Sequence, residues 1–175
     1  MPIPVVSHSA DDTQRVGEEI GRLLSAGDIV CLYGELGTGK TVLAKGLAKG
    51  LGVPDRAAVR SPSFVLIQRY PGRVPMYHAD LYRLSGPADI ADIGLHELLG
   101  GDGVAVVEWA DKLDASLPSE RLEISLEHHS EAARVITIQP HGARHCQLVE
   151  QWLSRQAADA DRDGPRADGG EMTSA

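Results

Sequence analysis

The stretch that decides the fold is G-E-L-G-T-G-K-T, residues 34 to 41, which directly follows the apolar run D-I-V-C-L-Y of residues 28 to 33. It matches the pattern G-x-x-x-x-G-K-[ST], in which a glycine-rich loop joins a strand to a helix and cradles phosphate groups. Residues 40 to 51 place a leucine at every fourth position, which predicts the required helix. A glycine-rich turn that only caps a helix is the alternative, but the flanking strand and helix favour a nucleotide site.

Each residue type in this loop has a physical role in phosphate binding. Glycines allow backbone conformations closed to other residues, so that N–H groups can point at phosphate oxygens. The N-terminus of the next helix adds unpaired N–H groups and a positive dipole end. We expect Lys40 to reach the β- and γ-phosphates and the Thr41 hydroxyl to bind Mg²⁺. The predicted nucleotide-binding residues of this segment are Gly34, Glu35, Leu36, Gly37, Thr38, Gly39, Lys40, Thr41 and Val42.

Two acidic residues at predicted strand ends are candidates for the second magnesium partner of such a site. Glu108 follows V-A-V-V and Asp80 follows M-Y-H-A, and ligands bind at the carboxyl edge of a parallel sheet. The alternative for Glu108 is a strand end in solvent, and the alternative for Asp80 is a helix cap. We predict catalytic roles for Lys40, Asp80 and Glu108, with Thr41 and Glu108 as the metal ligands.

Three further features lie near these acids in the sequence, and the first two of them each have two possible interpretations. The run S-P-S-F, residues 61 to 64, lies where nucleotide hydrolases keep a loop that senses the γ-phosphate, so Ser61 and Ser63 are candidate nucleotide contacts. An ordinary Ser-Pro turn is the alternative. Trp109 is either a core or rim aromatic, or a lid or partner contact beside the metal. His78 is interpreted as structural rather than as a base, because nothing near it in the sequence pairs with it.

The run D-K-L-D, residues 111 to 114, is similar to the [NT]-K-x-D element that reads guanine. That element needs an amide or hydroxyl side chain at its first position, where this chain has an aspartate. It also belongs on a strand separate from the magnesium acid, yet here it begins three residues after Glu108. The run therefore argues against guanine specificity.

Composition and charge limit the class of protein. The 175 residues are 42% hydrophobic and 24% charged, which suits one globular domain. The formal net charge of −8 does not favour nucleic-acid phosphates, so we expect any nucleic acid to be gripped by a partner. The chain has no apolar run of 18 residues and no secretory signal, and we expect no membrane association. Two cysteines outside any metal-binding spacing favour a reduced, cytoplasmic compartment.

The order of predicted elements indicates a fold of the α/β class. Strands are predicted at 3–6, 28–33, 63–70, 74–79 and 103–109, a hairpin at 121–128 and 133–139, and helices from Ser9 or Asp11 to about 25, at 40–51 and at about 141–155. We therefore expect a P-loop NTPase-like mixed, mostly parallel central sheet flanked by helices, with a C-terminal antiparallel hairpin. Residues 1–155 form the predicted ATPase domain, and 156–175, almost without large apolar residues, form a predicted disordered acidic tail.

Four motifs occur together in this order: G-E-L-G-T-G-K-T, S-P-S-F, H-A-D-L-Y-R-L and V-E-W. The set resembles the TsaE family, also called YjeE, over about residues 5 to 140. The resemblance implies that the threonine after the loop lysine and the V-E-W glutamate bind Mg²⁺, which are Thr41 and Glu108 here. It also implies that Asp80 acts near the γ-phosphate and its water, and that residues 61 to 64 form a switch-like segment.

The resemblance implies two further nucleotide contacts. A late-strand arginine of the family falls on Arg134, and Thr13 on the first helix falls near the base. Ser63 replaces the usual threonine but keeps the hydroxyl, and Ala79 replaces a usual aromatic residue. Neither departure changes the groups that carry the chemistry.

The resemblance also implies a function, namely ATP hydrolysis needed to form the threonylcarbamoyl group on adenosine 37 of tRNAs that read codons starting with A. ATP and Mg²⁺ are then the cofactors. The partners are TsaD, the transferase, and its paralogue TsaB, with tRNA held only indirectly through that complex, which ATP hydrolysis resets between turnovers. Two alternatives remain open: a small-molecule P-loop kinase, and a nucleotide-gated binding module without turnover. The sequence shows no lid segment and no acceptor segment, and this argues against the kinase.

Overall fold

The computed structural model describes residues 1–54 and 59–162, and these build one seven-stranded sheet with helices on both faces. The strands are β1 Ile3–Ser7, β2 Ile29–Tyr33, β3 Ile67–Tyr70, β4 Met76–Asp80, β5 Val104–Glu108, β6 Arg121–His128 and β7 Arg134–His141. The helices are α1 Ala10–Gly21, α2 Lys40–Gly50, α3 Pro87–Asp92, α4 Leu95–Leu98 and α5 Ala143–Arg162, with a 3₁₀ segment at Ala110–Ser116.

The sheet is mixed, with parallel strands at its centre and antiparallel strands at both margins. Its strand order is β1-β7-β6-β2-β5-β4-β3. The four central strands β6, β2, β5 and β4 pair in parallel, whereas β7 and β1 on one side and β3 on the other pair antiparallel. The predicted α/β class and the C-terminal hairpin of β6 and β7 are confirmed. This topology brings the carboxyl ends of β2, β4 and β5 to one edge of the sheet.

The central strands are apolar along their whole length because both of their faces are covered. Val30 and Leu32 of β2 face a core that includes α1, α2 and α5, whereas Ile29 and Cys31 face a second core that includes α3, α4 and the 3₁₀ segment. Each face of the sheet therefore buries alternate residues of the same strand. The result is a rigid support for the loop that leaves the end of β2.

Helices α1 and α2 pack closely because glycines line their contact. A Cβ atom on Gly46 would lie 2.1 Å from the carbonyl oxygen of Gln14, and one on Gly17 would lie 2.5 Å from that of Leu43. Side chains larger than a hydrogen atom would push the two helices apart. Helix α1 begins at its N-cap Ser9, whose side chain accepts from the backbone N–H of Asp12. The first helix thus fixes the position of the helix that follows the glycine-rich loop.

Three predicted boundaries are wrong. Helix α1, predicted to run to about residue 25, ends at Gly21 because residues 22–23 form a turn. The strand predicted at 63–70 begins only at Ile67, because residues 63–65 form a turn. Helix α5 continues to Arg162, so residues 156–162 of the predicted disordered tail are helical, and the remaining 163–175 lie outside the described residues. Leu148 and Trp152 of α5 are buried, whereas Leu153 is 41% exposed. Among the described residues, no helix is long and apolar enough to cross a membrane.

Candidate nucleotide-binding site

The glycine-rich loop takes the backbone conformations that its sequence predicts. Gly34, Gly37 and Gly39 have φ angles of +139°, +81° and +106°, which other residues rarely adopt. A Cβ atom at Gly34 would also lie 2.5 Å from the carbonyl oxygen of Leu126 on the neighbouring strand β6. The loop therefore closes tightly over the end of β2 and places Gly39 at the N-cap of α2. Its N–H groups and the start of α2 form the anion-binding arrangement expected for phosphate.

Lys40 lies inside this loop rather than in solvent, and the residue is only 5% exposed. Its Nζ donates to the carbonyl oxygens of Gly34 at 2.5 Å and Glu35 at 2.8 Å. It also lies 4.2 Å from the centroid of the Trp109 ring. Burial lowers the pKa of Lys40, while the nearby Glu108 and Asp80 carboxylates act in the opposite direction. The ammonium group is thus held at the place where a phosphate would bind.

Thr41 and Glu108, the two predicted metal ligands, are in contact. The Thr41 hydroxyl donates to Glu108 Oε1 at 3.1 Å and lies 3.4 Å from Oε2. Glu108 is only 2% exposed, so the alternative of a carboxylate in solvent is wrong. Mg²⁺ is usually held by one or two protein oxygens together with substrate phosphates and water. A hydroxyl and a carboxylate this close, beside a phosphate-binding loop, fit a magnesium ion carried by a nucleotide.

His78 is a contact of this site that the sequence interpretation missed. Its Nε2 lies 2.8 Å from Glu108 Oε1, and its ring is fully buried. The expectation that His78 is structural rests on its sequence neighbours, whereas its partner is on the adjacent parallel strand β5. Because a carboxylate only accepts hydrogen bonds, Nε2 carries the hydrogen that joins the two groups. His78 therefore fixes the orientation of the carboxylate that also contacts Thr41.

Asp80 binds the S-P-S-F run from the other side of the site. Its Oδ2 accepts from the hydroxyl of Ser61 and, at 3.1 Å, from that of Ser63. Its Oδ1 accepts from the backbone N–H of Tyr82 at 2.9 Å. Asp80 caps no helix, since the next helix begins at Pro87. Both serines of the run are therefore held by an acid at the same edge of the sheet, and their contact with a nucleotide stays a prediction.

Most of the predicted residues line a cavity of about 390 Å³ at the carboxyl edge of the sheet, whereas the predicted Gly34, Glu35 and Thr38 line a neighbouring cavity of about 530 Å³. The walls of the first cavity contain Leu36, Gly37, Gly39, Lys40, Thr41, Val42, Ser61, Ser63, Asp80, Tyr82, Glu108 and Trp109. Trp109 packs on Tyr82 with ring centroids 4.9 Å apart, and its φ angle of +58° turns the chain at the end of β5. Trp109 is half-buried in the cavity wall, which fits a rim aromatic, and a role as a lid or partner contact stays a prediction.

Thr13 and Arg134 lie on the other side of the loop, where they line a smaller cavity of about 130 Å³ with Gly37, Gly39 and Val42. Arg134 donates through Nε to the carbonyl oxygen of Thr38 at 3.1 Å and through Nη1 to that of Ala133 at 2.9 Å. The hydroxyl of Thr13 is shared with Ser7 at 2.8 Å. Arg134 thus braces the loop, whereas Thr13 is held by Ser7 and Ser9, and the contact of either residue with a nucleotide stays a prediction.

Known proteins resemble this chain along most of its length. The family model described as "Threonylcarbamoyl adenosine biosynthesis protein TsaE" matches residues 7–136. This chain belongs to the TsaE family. The matched residues include every site residue from Thr13 to Arg134, so all the predicted contacts lie within the family domain.

Individual relatives cover most of the chain. A protein of Treponema pallidum named tRNA threonylcarbamoyladenosine biosynthesis protein TsaE is 44% identical over 76% of this chain and 97% of its own length. The Bacillus subtilis protein of the same name is 38% identical over 83% of this chain and 89% of its own. The crystal structure of Bacillus subtilis YdiB superposes with a TM-score of 0.75 at 30% identity, over 89% of this chain and 97% of that one. The fold of this TsaE-family chain is therefore shared along nearly its whole described length.

Proposed function

We propose that this chain binds Mg-ATP and hydrolyses it as the ATPase subunit of the machinery that forms threonylcarbamoyladenosine on tRNA. The observation that carries the proposal is the contact of Thr41 with Glu108 beside the buried Lys40, inside one cavity at the loop. A phosphate-binding loop alone would suit any nucleotide-binding protein. The pair of oxygen ligands adds the metal-binding group that hydrolysis requires.

The residues have separate roles in this proposal. The loop N–H groups and Lys40 neutralise the charge that develops on the phosphates during transfer. Thr41 and Glu108 would hold Mg²⁺, which would supply Lewis-acid stabilisation of the negative charge on the phosphates. Asp80 orients the attacking water, and Ser61 and Ser63 hold its carboxylate in place. Arg134 donates to backbone carbonyl oxygens and lines the smaller cavity on the other side of the loop, rather than the cavity that contains Asp80 and Glu108. We therefore expect slow hydrolysis by the chain alone.

The proposed partners are the transferase TsaD and its paralogue TsaB, in the cytoplasm. The chain's net charge of −8 supports contact with proteins rather than direct gripping of tRNA. ATP hydrolysis then resets the complex between turnovers, and tRNA is reached only through the partners.

The test is ATP hydrolysis by the purified chain, first alone and then with the TsaB–TsaD pair. We expect slow turnover that rises at least tenfold with the pair. The Lys40→Ala variant should lose nucleotide binding, because the cavity then lacks the ammonium group that meets the phosphates. Glu108→Gln should keep nucleotide and partner binding but lose hydrolysis, since an amide is a poorer magnesium ligand than a carboxylate.

Two results would contradict the proposal. Hydrolysis at tens per second without partners would show that the site needs no outside group. A Glu108→Gln variant that still supports tRNA modification in cells would favour a nucleotide-gated binding module without turnover. Val6→Asp is a matched control, because Val6 is exposed on β1 at the sheet margin and lines none of these cavities.

A further inference from the structure

Exposed apolar side chains gather at the mouth of the nucleotide cavity. Seven large apolar residues of the described chain are exposed: Met1, Val6, Leu36, Phe64, Val65, Tyr82 and Leu153. Of these, Leu36 and Tyr82 line the cavity, and Phe64 and Val65 directly follow its lining residue Ser63. Single exposed apolar residues are ordinary on protein surfaces, but a cluster marks an interaction site.

The centre of this cluster is the apolar tip, defined as Phe64 and Val65. Phe64 is 82% exposed and is the only phenylalanine in the chain, and Val65 is 68% exposed. The aromatic ring could have served the core, yet it projects from the end of a turn. Burying both side chains on association would remove a substantial apolar area from water.

The tip is held outward by its own turn. The N–H of Leu66 donates to the carbonyl oxygen of Pro62 at 2.6 Å, and the carbonyl oxygen of Leu66 accepts from the N–H of Asp80 at 3.0 Å. Leu66 has a φ angle of +70°, a conformation that is strained for a leucine. These hydrogen bonds therefore stabilise a strained backbone conformation in which the tip is exposed. A side chain that is already held in its binding position loses little conformational entropy on association.

The tip is also connected to the nucleotide site. Ser61 and Ser63, which begin the same turn, both donate to Asp80 in the cavity wall. A partner that covers the tip would therefore contact a segment whose position depends on Asp80, an acid of the cavity wall.

The charge around the tip differs from that of the whole chain. The segment from Val59 to Arg83 contains four arginines and one aspartate, the buried Asp80. One of these arginines, Arg73, lies away from the tip, because its guanidinium donates to the carbonyl oxygens of Gly21 and Leu24. Arg83 lies with its guanidinium carbon 4.0 Å from the Phe64 ring centroid, and Arg60 and Arg69 are exposed. The whole chain, by contrast, has a net charge of −8. An acidic surface is the complement of this segment.

We propose that the apolar tip is a docking site for a partner protein that offers an apolar pocket rimmed by carboxylates. This inference rests on the proposed function, because the partner is the protein complex that the ATPase serves. A protein is favoured over RNA because an aliphatic valine stands beside the single aromatic ring, and because the net charge of the chain repels a polyanion.

The test measures the affinity of the full chain for the TsaB–TsaD pair by biolayer interferometry in the presence of Mg-ADP. Val65→Asp should weaken binding at least tenfold, while the binding of fluorescent mant-ADP to the variant alone stays within twofold. Val6→Asp is the matched control, since Val6 is 45% exposed but lies on the strand at the opposite margin of the sheet. Arg83→Glu should slow association and reduce its dependence on salt.

The possible outcomes separate this inference from the proposed function. If the wild-type chain binds the pair and Val65→Asp binds equally well, the docking site is wrong and the ATPase proposal stands. If the wild-type chain does not bind the pair, both the docking site and the proposed function are contradicted. A concentration-dependent dimer in sedimentation that Val65→Asp dissolves, or loss of affinity for free tRNA in that variant, would also overturn the inference in favour of a second copy or of RNA.

Discussion

At the scale of single residues, the acid of V-E-W is defined by its contacts as much as by its position. Glu108 contacts the Thr41 hydroxyl on one side and His78 on the other, while being nearly fully buried. A buried carboxylate without a hydrogen-bond donor loses both orientation and stability. Partners of metal ligands commonly change metal affinity when they are removed. His78 is therefore expected to control how well the site takes Mg²⁺.

We predict that His78→Leu raises the Mg²⁺ concentration needed for half-maximal mant-ADP binding by about 10- to 100-fold. Affinity for mant-ADP in EDTA should change much less, because the phosphate contacts of the loop remain. His78→Gln is the matched variant, since its amide can still donate to Glu108 and should restore part of the effect. If the variant loses affinity for mant-ADP equally with and without Mg²⁺, His78 only supports the fold.

The residues that can be predicted from sequence are those whose role is written in local spacing. Gly34, Gly39, Lys40 and Thr41 form a contiguous pattern, so the loop is predictable without a structure. The contact of His78 is not, because its partner is 30 residues away on another strand. One signal in the sequence could have indicated this contact. His78 lies two positions before the strand-end Asp80, and Glu108 ends the neighbouring parallel strand.

At the scale of elements, the position of α2 depends on glycines that the sequence analysis did not use. Gly46 and Gly50 of α2 face α1, where Cβ atoms would lie 2.1 Å and 2.2 Å from the carbonyl oxygens of Gln14 and Glu18. The N-terminal end of the same helix carries Lys40 and Thr41. A displacement of α2 at the glycines would therefore reach the phosphate site.

We predict that Gly46→Ala lowers the free energy of unfolding by at least about 1 kcal/mol, even though alanine favours helix formation by about 1 kcal/mol relative to glycine. The same variant should also weaken mant-ADP binding. Urea unfolding and a fluorescence titration measure the two effects. Gly86→Ala is the control, because a Cβ atom added there would have no neighbour within 4 Å and the change should be nearly neutral. A fully stable Gly46→Ala variant would mean that the two helices separate without cost.

Element type is predictable more reliably than element length. The turn before β3 resembles a strand in sequence because S-F-V-L-I is apolar, but Ser61 and Ser63 instead bind Asp80 across the site. Helix α5 outlasts its apolar pattern, since residues after Gln156 are mostly exposed and yet helical. In both cases hydrophobic spacing set the predicted boundary, whereas a tertiary hydrogen bond or continued helical bonding set the real one.

At the scale of the whole molecule, the nucleotide site joins parts that are distant along the chain. Residues from the loop after β2 and from α2, β4 and β5 meet at one edge of the sheet, and Arg134 of β7 braces the loop across 96 positions. A ligand that binds only this assembled site must stabilise the entire fold by mass action. Stability in the presence of nucleotide thus reports on the site without requiring turnover.

We predict that Mg-ADP at about one hundred times its dissociation constant stabilises the wild-type chain by about 2.7 kcal/mol. For a domain of this size that corresponds to a rise in Tm of roughly 5–10 °C in differential scanning fluorimetry. Lys40→Ala should fold but show little shift, because it lacks the ammonium group that meets the phosphates. Leu153→Ser, a change at an exposed position on α5, should shift as the wild type does. An equal rise in Tm for Lys40→Ala would place the nucleotide elsewhere on the molecule, since the loop could not then be the site that couples binding to folding.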